Sequence, residues 1–521
     1  MMIYLMTEKM KKLIYIAIML AFVSITSCKK YLEEPSRIQA SITKVTQLQA
    51  LLDNLTSTSI DWTSQFAGDY AAMAATDDVE INLAAFAAVP NIFDLTSAFH
   101  YTFDSDKLTQ TSANDPVWTN GFQRILTANV ILANVENVSG TDEEKKLVRA
   151  NAYFNRAYAY WVLVNHFCQP YSSSTLQTPG LPLRKTTSYT ESLTRASLKD
   201  TYDFIMSDIA QAQNFVTYAD VNPLFRWRIS KTGIDAFLSR YYLFIGDYNN
   251  SLKHANDALA SGNVELKDFN TIGLATNPTT YRPSGANGPS YVVNYSALSQ
   301  WTNTQYFAWQ EFYYTNFTAG LNTGRNTFNA SPALLANYDV PNGAKANDLR
   351  YKHFMPDNSG FVAQWTLPGL NSFKQFGLNL IPTGPTIAEV LLNKAEASAR
   401  LNDFTTAGIV INRLRAKRFI AGYANINLSL TADNALNLVL QERRRELPFA
   451  FRWYDLRRFA YNETPVDDIV VNRTFYNVAV SNIDINSTKT YTLPLKSTHY
   501  MLPIPNNDII QSQGQIQQNT Y

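Results

Sequence analysis

Between Tyr295 and Phe317 aromatic side chains crowd the chain. Trp301, Tyr306, Trp309 and Tyr313 stand there among Asn294, Asn303 and Asn316. Ring faces beside amides suit sugars in water. The C–H face of a pyranose packs on an indole or a phenol, and polar groups bond its hydroxyls. No 3.6-residue period runs through the stretch, so a helical core stripe does not account for it. Large aromatics are mostly buried even so. The expectation is therefore that most of these rings pack and at least one stacks on a ligand.

Other chemistries have weaker footholds. The five histidines (His100, His166, His254, His353, His499) show no HxH or HxxxH spacing. There is no GxSxG elbow, P-loop, HExxH or GxGxxG, so no enzyme, metal or cofactor is expected. Asp77, Asp78 and Glu80 lack the spacing of a calcium loop and read as a solvated turn. Arg443-Arg444-Arg445 is flanked by Glu442 and Glu446, with Asp455 nearby. Opposite charges this close usually satisfy one another, so the run reads as a helix held by ion pairs.

Composition narrows the class. Of 521 residues 46% are hydrophobic and 17% charged, a globular balance. A net charge of +1 offers no footprint for nucleic acid. Two cysteines build neither a disulfide framework nor a four-thiolate zinc site. At the N-terminus Lys11-Lys12 precede a mostly apolar run from Leu13 to Ile25, too short to span a bilayer and right for a secretory signal. Small residues then lead to Cys28, as in a bacterial lipoprotein signal whose cleavage leaves a lipid-bearing cysteine. Cys168, closing a helical run, is expected to be buried as a small hydrophobe.

Helices must position these groups. Apolar residues recur every three to four positions from Val117, over 143–167, over 198–215 and from Ser230 onward. Helices are expected again over 386–418 and 432–460. Leu243 to Ser251 aligns with Ala399 to Ala407: a helix end, a Gly/Asn-Asp turn, an aromatic, then a small residue opening the next helix. That is the turn of a tetratricopeptide hairpin. Residues 53–116 and 265–385 carry no helical period and are too long for ordinary loops. They read as irregular excursions with short strands. The fold class is mainly α: a tetratricopeptide-like helix-pair scaffold with large loop excursions and a few short strands.

Taken in order, these pieces resemble the SusD/RagB family of nutrient-binding outer-membrane lipoproteins. The resemblance covers Lys29 to Pro35 after the lipobox, Asp77-Asp78, Asn155 to Tyr160, Gly180-Leu181-Pro182, Leu392 to Ala397 and Ile411 to Arg415. Its most specific part runs from Glu442 to Leu447 and on through Phe451 to Arg458. Leu502-Pro503-Ile504-Pro505 also fits, whereas Pro448 and Ala450 depart from the pattern. The resemblance implies a signal over 1–27, a lipidated linker over 28–40, an N-terminal region with helical repeats over 41–264, and a C-terminal region over 265–521. It implies ligand contacts in both excursions, which adds Trp62, Tyr70 and Tyr101 to the candidates. It also implies a non-catalytic, lipid-anchored surface protein that hands an oligosaccharide to a SusC-type TonB-dependent transporter. A peptide ligand on the same architecture is the alternative.

Overall fold

The computed structural model describes residues 42–54, 73–88, 95–261, 263–281, 290–300, 309, 311–319, 322–323, 326–339, 344–362, 365–367, 369–373 and 380–521. Cys28 lies outside them.

Nine long helices carry the body among these residues: α1 (Pro116–Asn134), α2 (Asp142–Phe167), α3 (Leu198–Phe215), α4 (Lys231–Phe244), α5 (Tyr248–Ala260), α6 (Ile387–Arg400), α7 (Phe404–Arg415), α8 (Ala435–Glu446) and α9 (Ala450–Tyr461). Their starts are written in the sequence. Asp115 accepts hydrogen bonds from the amides of Val117 and Trp118, with Pro116 at the first helical position. Thr141 and Glu144 form a capping box on α2, and Ser197, Ser230 and Thr386 cap α3, α4 and α6. The helices stack as consecutive pairs: α1 on α2, α2 on α3, α4 on α5, and α6 on α7, with α5 and α6 joining the halves.

Both repeated turns have the expected geometry. Gly246 (φ +81°) and Asn402 (φ +64°) end α4 and α6 in the left-handed region, which glycine and asparagine tolerate. Asp247 and Asp403 then cap α5 and α7 by accepting from Asn250 N and Thr406 N. The small residues Ser251 and Ala407 are fully buried at the helix crossings, and Ser251 Oγ donates to Ser239 O at 2.8 Å.

Helix α2 is the spine of the core, with Phe154, Tyr158 and Trp161 packed against Phe237 of α4. Paired charges lock its neighbours. Arg240 of α4 donates twice to Glu389 of α6, at 2.6 Å each, and both side chains are buried. Arg156 makes the same two-pronged contact with Asp208 of α3 at 2.7 and 2.6 Å. Cys168 is a buried free thiol, as expected of it.

The stretch over 432–460 divides in two. Pro448 supplies no N–H, and Phe449 takes φ +66° between α8 and α9. The described part of 53–116 is more helical than its composition suggests, with short helices Leu83–Ala88, Leu95–Tyr101 and Ser105–Thr111. Two turns are too few to show a period. Strands are short and antiparallel. Val79–Glu80 pairs with Asn329–Ala330, Phe317–Ala319 with Leu380–Pro382, and Val471–Val478 with Ile483–Leu493.

The middle excursion is held tightly where it meets the scaffold. The Gly384 amide donates to Asn316 O, and Tyr313 N donates to Pro385 O. A Cβ at Gly384 would lie 2.0 Å from Tyr314 O and 2.7 Å from Asn316 N, both backbone atoms. Gly384→Ala is therefore expected to lower stability by roughly 1–3 kcal/mol or more. Urea unfolding reads this directly, and an unchanged midpoint would mean the two segments separate at no cost.

Candidate functional site

The charged motif resolves first, because it fixes everything near it. Arg443 pairs with Asp455 at 2.8 Å, and Arg458 pairs with both Asp455 and Glu396. Arg445, Arg415 and Arg350 converge on Glu442. The arginine run is thus a packing lattice, as its flanking acids suggest. Asp77 and Asp78 are not a solvated turn, which corrects the sequence expectation. Asp78 is fully buried. Arg452 grips Asp77 through two bonds of 2.6 and 2.8 Å, and Arg444 Nε donates to Asp78 Oδ1 at 2.7 Å. Asp78 Oδ2 also accepts from the Phe449 amide at 2.8 Å, so the strained break between α8 and α9 is tied to the first excursion. Burial pushes Asp77 up, but Arg452 and Arg444 hold it well below the usual carboxylate range.

This clamp positions the next residues. Val79 and Glu80 form a strand edge facing the hairpin strand Val471–Val478. Together they border a recess of about 400 Å³ that also reaches Tyr101, Ser331 and Pro332. Along Val471–Val478 the sides alternate: Val471 and Arg473 point inward, Asn472 and Thr474 outward. Arg473 donates to the carbonyls of Ala74 and Thr76 and lies over the Tyr101 ring at 4.1 Å. Glu80 differs from its neighbours. It is half-buried, and among the described residues nothing hydrogen-bonds or ion-pairs with its carboxylate. Burial raises its pKa above the ordinary value. An uncommitted carboxylate beside outward amide and hydroxyl groups is built to accept hydrogen bonds from a ligand.

The nominated rings fall into two groups. Trp62, Tyr70, Trp301 and Tyr306 lie outside the described residues. Tyr101, Trp309 and Tyr313 are in the core, 2%, 4% and 2% exposed. Tyr101 accepts a bond from Ile81 N at 3.2 Å and packs on Phe328 and Phe475, so it borders the recess without presenting a free face. Trp309 Nε1 donates to Glu311 at 3.3 Å, and Tyr313 donates to Ala258 O of α5 at 3.0 Å. The sequence sets Glu80 aside together with Asp77 and Asp78 as one solvated turn. The one available signal was the adjacent acidic pair, and nothing in the sequence says that arginines consume Asp77 and Asp78 while leaving Glu80 free.

A second recess, of about 360 Å³, opens in the middle excursion beside Asn294, Tyr351 and Asp357. Its groups are largely spoken for. Tyr351 donates to Asp357 at 2.5 Å, and Lys345 Nζ covers its ring at 4.5 Å. Asp235, His254 and Asp257 are the one set among the described residues that brings three metal-type ligand atoms within 4.8 Å. They are satisfied without an ion: His254 Nδ1 lies 2.8 Å from Asp235, and Asp257 pairs with Lys253. No helix among the described residues is long and apolar enough to cross a membrane.

Comparison with known proteins agrees with this architecture. Residues 30–243 match a SusD-like family model described as starch-binding and associating with the outer membrane, and residues 387–521 match the SusD family model. SusD-like protein P2 of Formosa agariphila is 23% identical over 374 residues, covering 66% of this chain and 70% of that protein. SusD-like protein P38 of the same organism is 24% identical over 400 residues, covering 66% and 71%. A SusD superfamily structure from Bacteroides thetaiotaomicron superposes with a TM-score of 0.64 at 18% identity, covering 92% of this chain and all of that one. A putative sugar binding protein from Bacteroides vulgatus gives 0.62 at 18% identity, covering 92% and 99%. Surface glycan-binding protein A from Bacteroides uniformis gives 0.58 at 13% identity, covering 91% and 99%. Helix pairs, repeated turns, arginine lattice and matches at both ends of the sequence lead to one assignment: the chain belongs to the SusD/RagB family.

Proposed function

We propose that this protein captures an oligosaccharide at the cell surface and passes it to a SusC-type TonB-dependent transporter, breaking no bond. The observation that carries the reading is the free carboxylate of Glu80 in a recess walled by the first excursion, the middle excursion and the C-terminal hairpin. Vicinal sugar hydroxyls donate well to a carboxylate, and Asn472 and Thr474 lie on the same rim. The solved relatives named for sugar or glycan binding share the fold. Trp62, Tyr70, Trp301 and Tyr306 supply candidate stacking faces on the two excursions.

Calorimetric titration against matched panels of neutral oligosaccharides and peptides tests the reading. Sugar binding with no peptide heat is expected, and peptide-only binding overturns it. Conversion of a polysaccharide by the pure protein would move it to a different class.

Cys28 carries the proposed address. One lipid chain binds a membrane only marginally, whereas two or three hold firmly. Cys28→Ala should abolish fatty-acid labelling and shift nearly all of the protein out of the membrane fraction. Retention there would remove the lipid anchor from the proposal.

A further inference from the structure

We infer that a second site for a neutral saccharide lies at the tip of the α4–α5 pair, remote in sequence from the Glu80 recess. A cavity of about 410 Å³ opens there, within the size range of small-ligand sites. Three segments build it: the chain leaving α2 at Tyr171 to Ser173, the α4–α5 turn with Tyr248, and the end of α9 with Tyr461 to Thr464. The turn is open at Gly246, where a Cβ would meet nothing within 4 Å.

The chemistry of the lining selects the ligand class. Arg458 stands in the wall, but Glu396 and Asp455 take its guanidinium at 2.5, 2.7 and 2.9 Å. It is not available to an anion. The C-terminal ends of α4 and α9 point into the same region, and their carbonyl ends disfavour negative charge. Asn462 is committed to Asp467, and Tyr461 donates to Ser497 O. What remains is Tyr171 and Tyr248, both half-buried, the hydroxyls of Ser173 and Thr464, and the exposed carboxylate of Glu463, which also repels an anion and can accept from a sugar hydroxyl. Among the described residues none of these five side chains is hydrogen-bonded. Tyr248 is backed by Arg400, whose guanidinium lies 5.2 Å from the ring centroid, and Tyr171 by the Tyr202 ring at 4.8 Å. Two braced phenol rings with free hydroxyls around a cavity fit a ligand with C–H faces and many hydroxyls.

Crystals soaked in millimolar maltohexaose, cellohexaose or xylohexaose, with calorimetry on variants, test the site. Density for sugar units between Tyr171 and Tyr248 is expected with at least one of the three. Tyr248→Ala should weaken that binding event about tenfold, and Glu80→Gln should leave it intact. Tyr248 also packs the helix turn, so Ser173→Trp, on the exposed rim, blocks the cavity without touching the core and should have the same effect at unchanged Tm. Empty density here with all three sugars, or wild-type titrations from both variants, overturns the inference. Density here but none beside Glu80 supports it and overturns the Glu80 site, and the converse overturns only this one.

Discussion

Glu442→Ala is expected to cost about 3–5 kcal/mol, a large part of the roughly 5–15 kcal/mol that holds a folded domain. Glu442 is fully buried on α8. Arg350 Nη2 lies 2.6 Å from one of its oxygens, and Arg415 and Arg445 donate to the other at 2.7 and 2.8 Å. Removing the carboxylate leaves three buried guanidiniums facing one another with too little counter-charge. Asp348 and Glu446 still partner Arg350, but neither forms an ion pair with Arg445. Burial alone would push the Glu442 carboxyl up, yet Arg350, Arg445 and Arg415 hold it well below the carboxylate range. Its stabilising contribution is therefore present above the unfolded value of about 4.3 and is lost as pH falls towards the depressed folded value. Glu442→Gln keeps the volume and removes the charge, so it should show most of the loss and a flatter acid limb. Chemical denaturation followed across pH reads both, and a change under about 1 kcal/mol for Glu442→Ala would mean the lattice is not what holds α8.

Much of this scaffold was legible because its signals are local. The caps, the Gly246-Asp247 and Asn402-Asp403 turns and the span of α3 depend on residues within a turn of each other. The ion-pair character of Glu442 to Arg458 was legible for the same reason. Its partners were not: Arg444 and Arg452 reach Asp77 and Asp78, some 370 positions earlier. That distance is why a buried clamp reads as a solvated turn. The aromatic excursion misleads in a related way. A missing helical period says that rings do not share a helix face, not that they are exposed. Trp309 and Tyr313 sit in irregular backbone and still pack against the scaffold. The free state of Glu80 is legible only by subtraction, once each neighbouring carboxylate has been matched to its arginine.

The clamp and the recess are coupled through two residues of chain. Asp77 and Asp78 are pinned to α8 and α9, Val79 and Glu80 follow at once, and the paired strand Asn329–Ala330 fixes their direction. Backbone held this rigidly at Glu80 loses little conformational freedom when a ligand arrives, which favours affinity. Half-buried on this fixed strand, Glu80 keeps part of its carboxylate out of water. The protein thus holds a partly desolvated, unpaired charge in its resting state, and that arrangement should be measurable.

Glu80→Gln is expected to raise the stability of the free protein at pH 7 while weakening oligosaccharide binding about tenfold. Burial raises the Glu80 carboxyl above its ordinary value. A raised carboxyl leaves folding unaffected at low pH, where it is protonated in both states, and opposes it as pH climbs from the unfolded value through the folded value and the buried group must ionise. The amide carries no charge to desolvate, so Gln removes this penalty at neutral pH and changes little near about pH 3. Binding moves the other way, because a carboxylate accepts from two hydroxyls with charge assistance and Gln offers one neutral acceptor and a donor. A residue that costs stability and contributes affinity is the signature of a binding group rather than a packing group. Thermal melts at both pH values, paired with calorimetry on the best sugar of the panel, decide the matter. A variant that is less stable at pH 7, or that binds as tightly as the wild type, would return Glu80 to the scaffold and leave the recess without its acceptor.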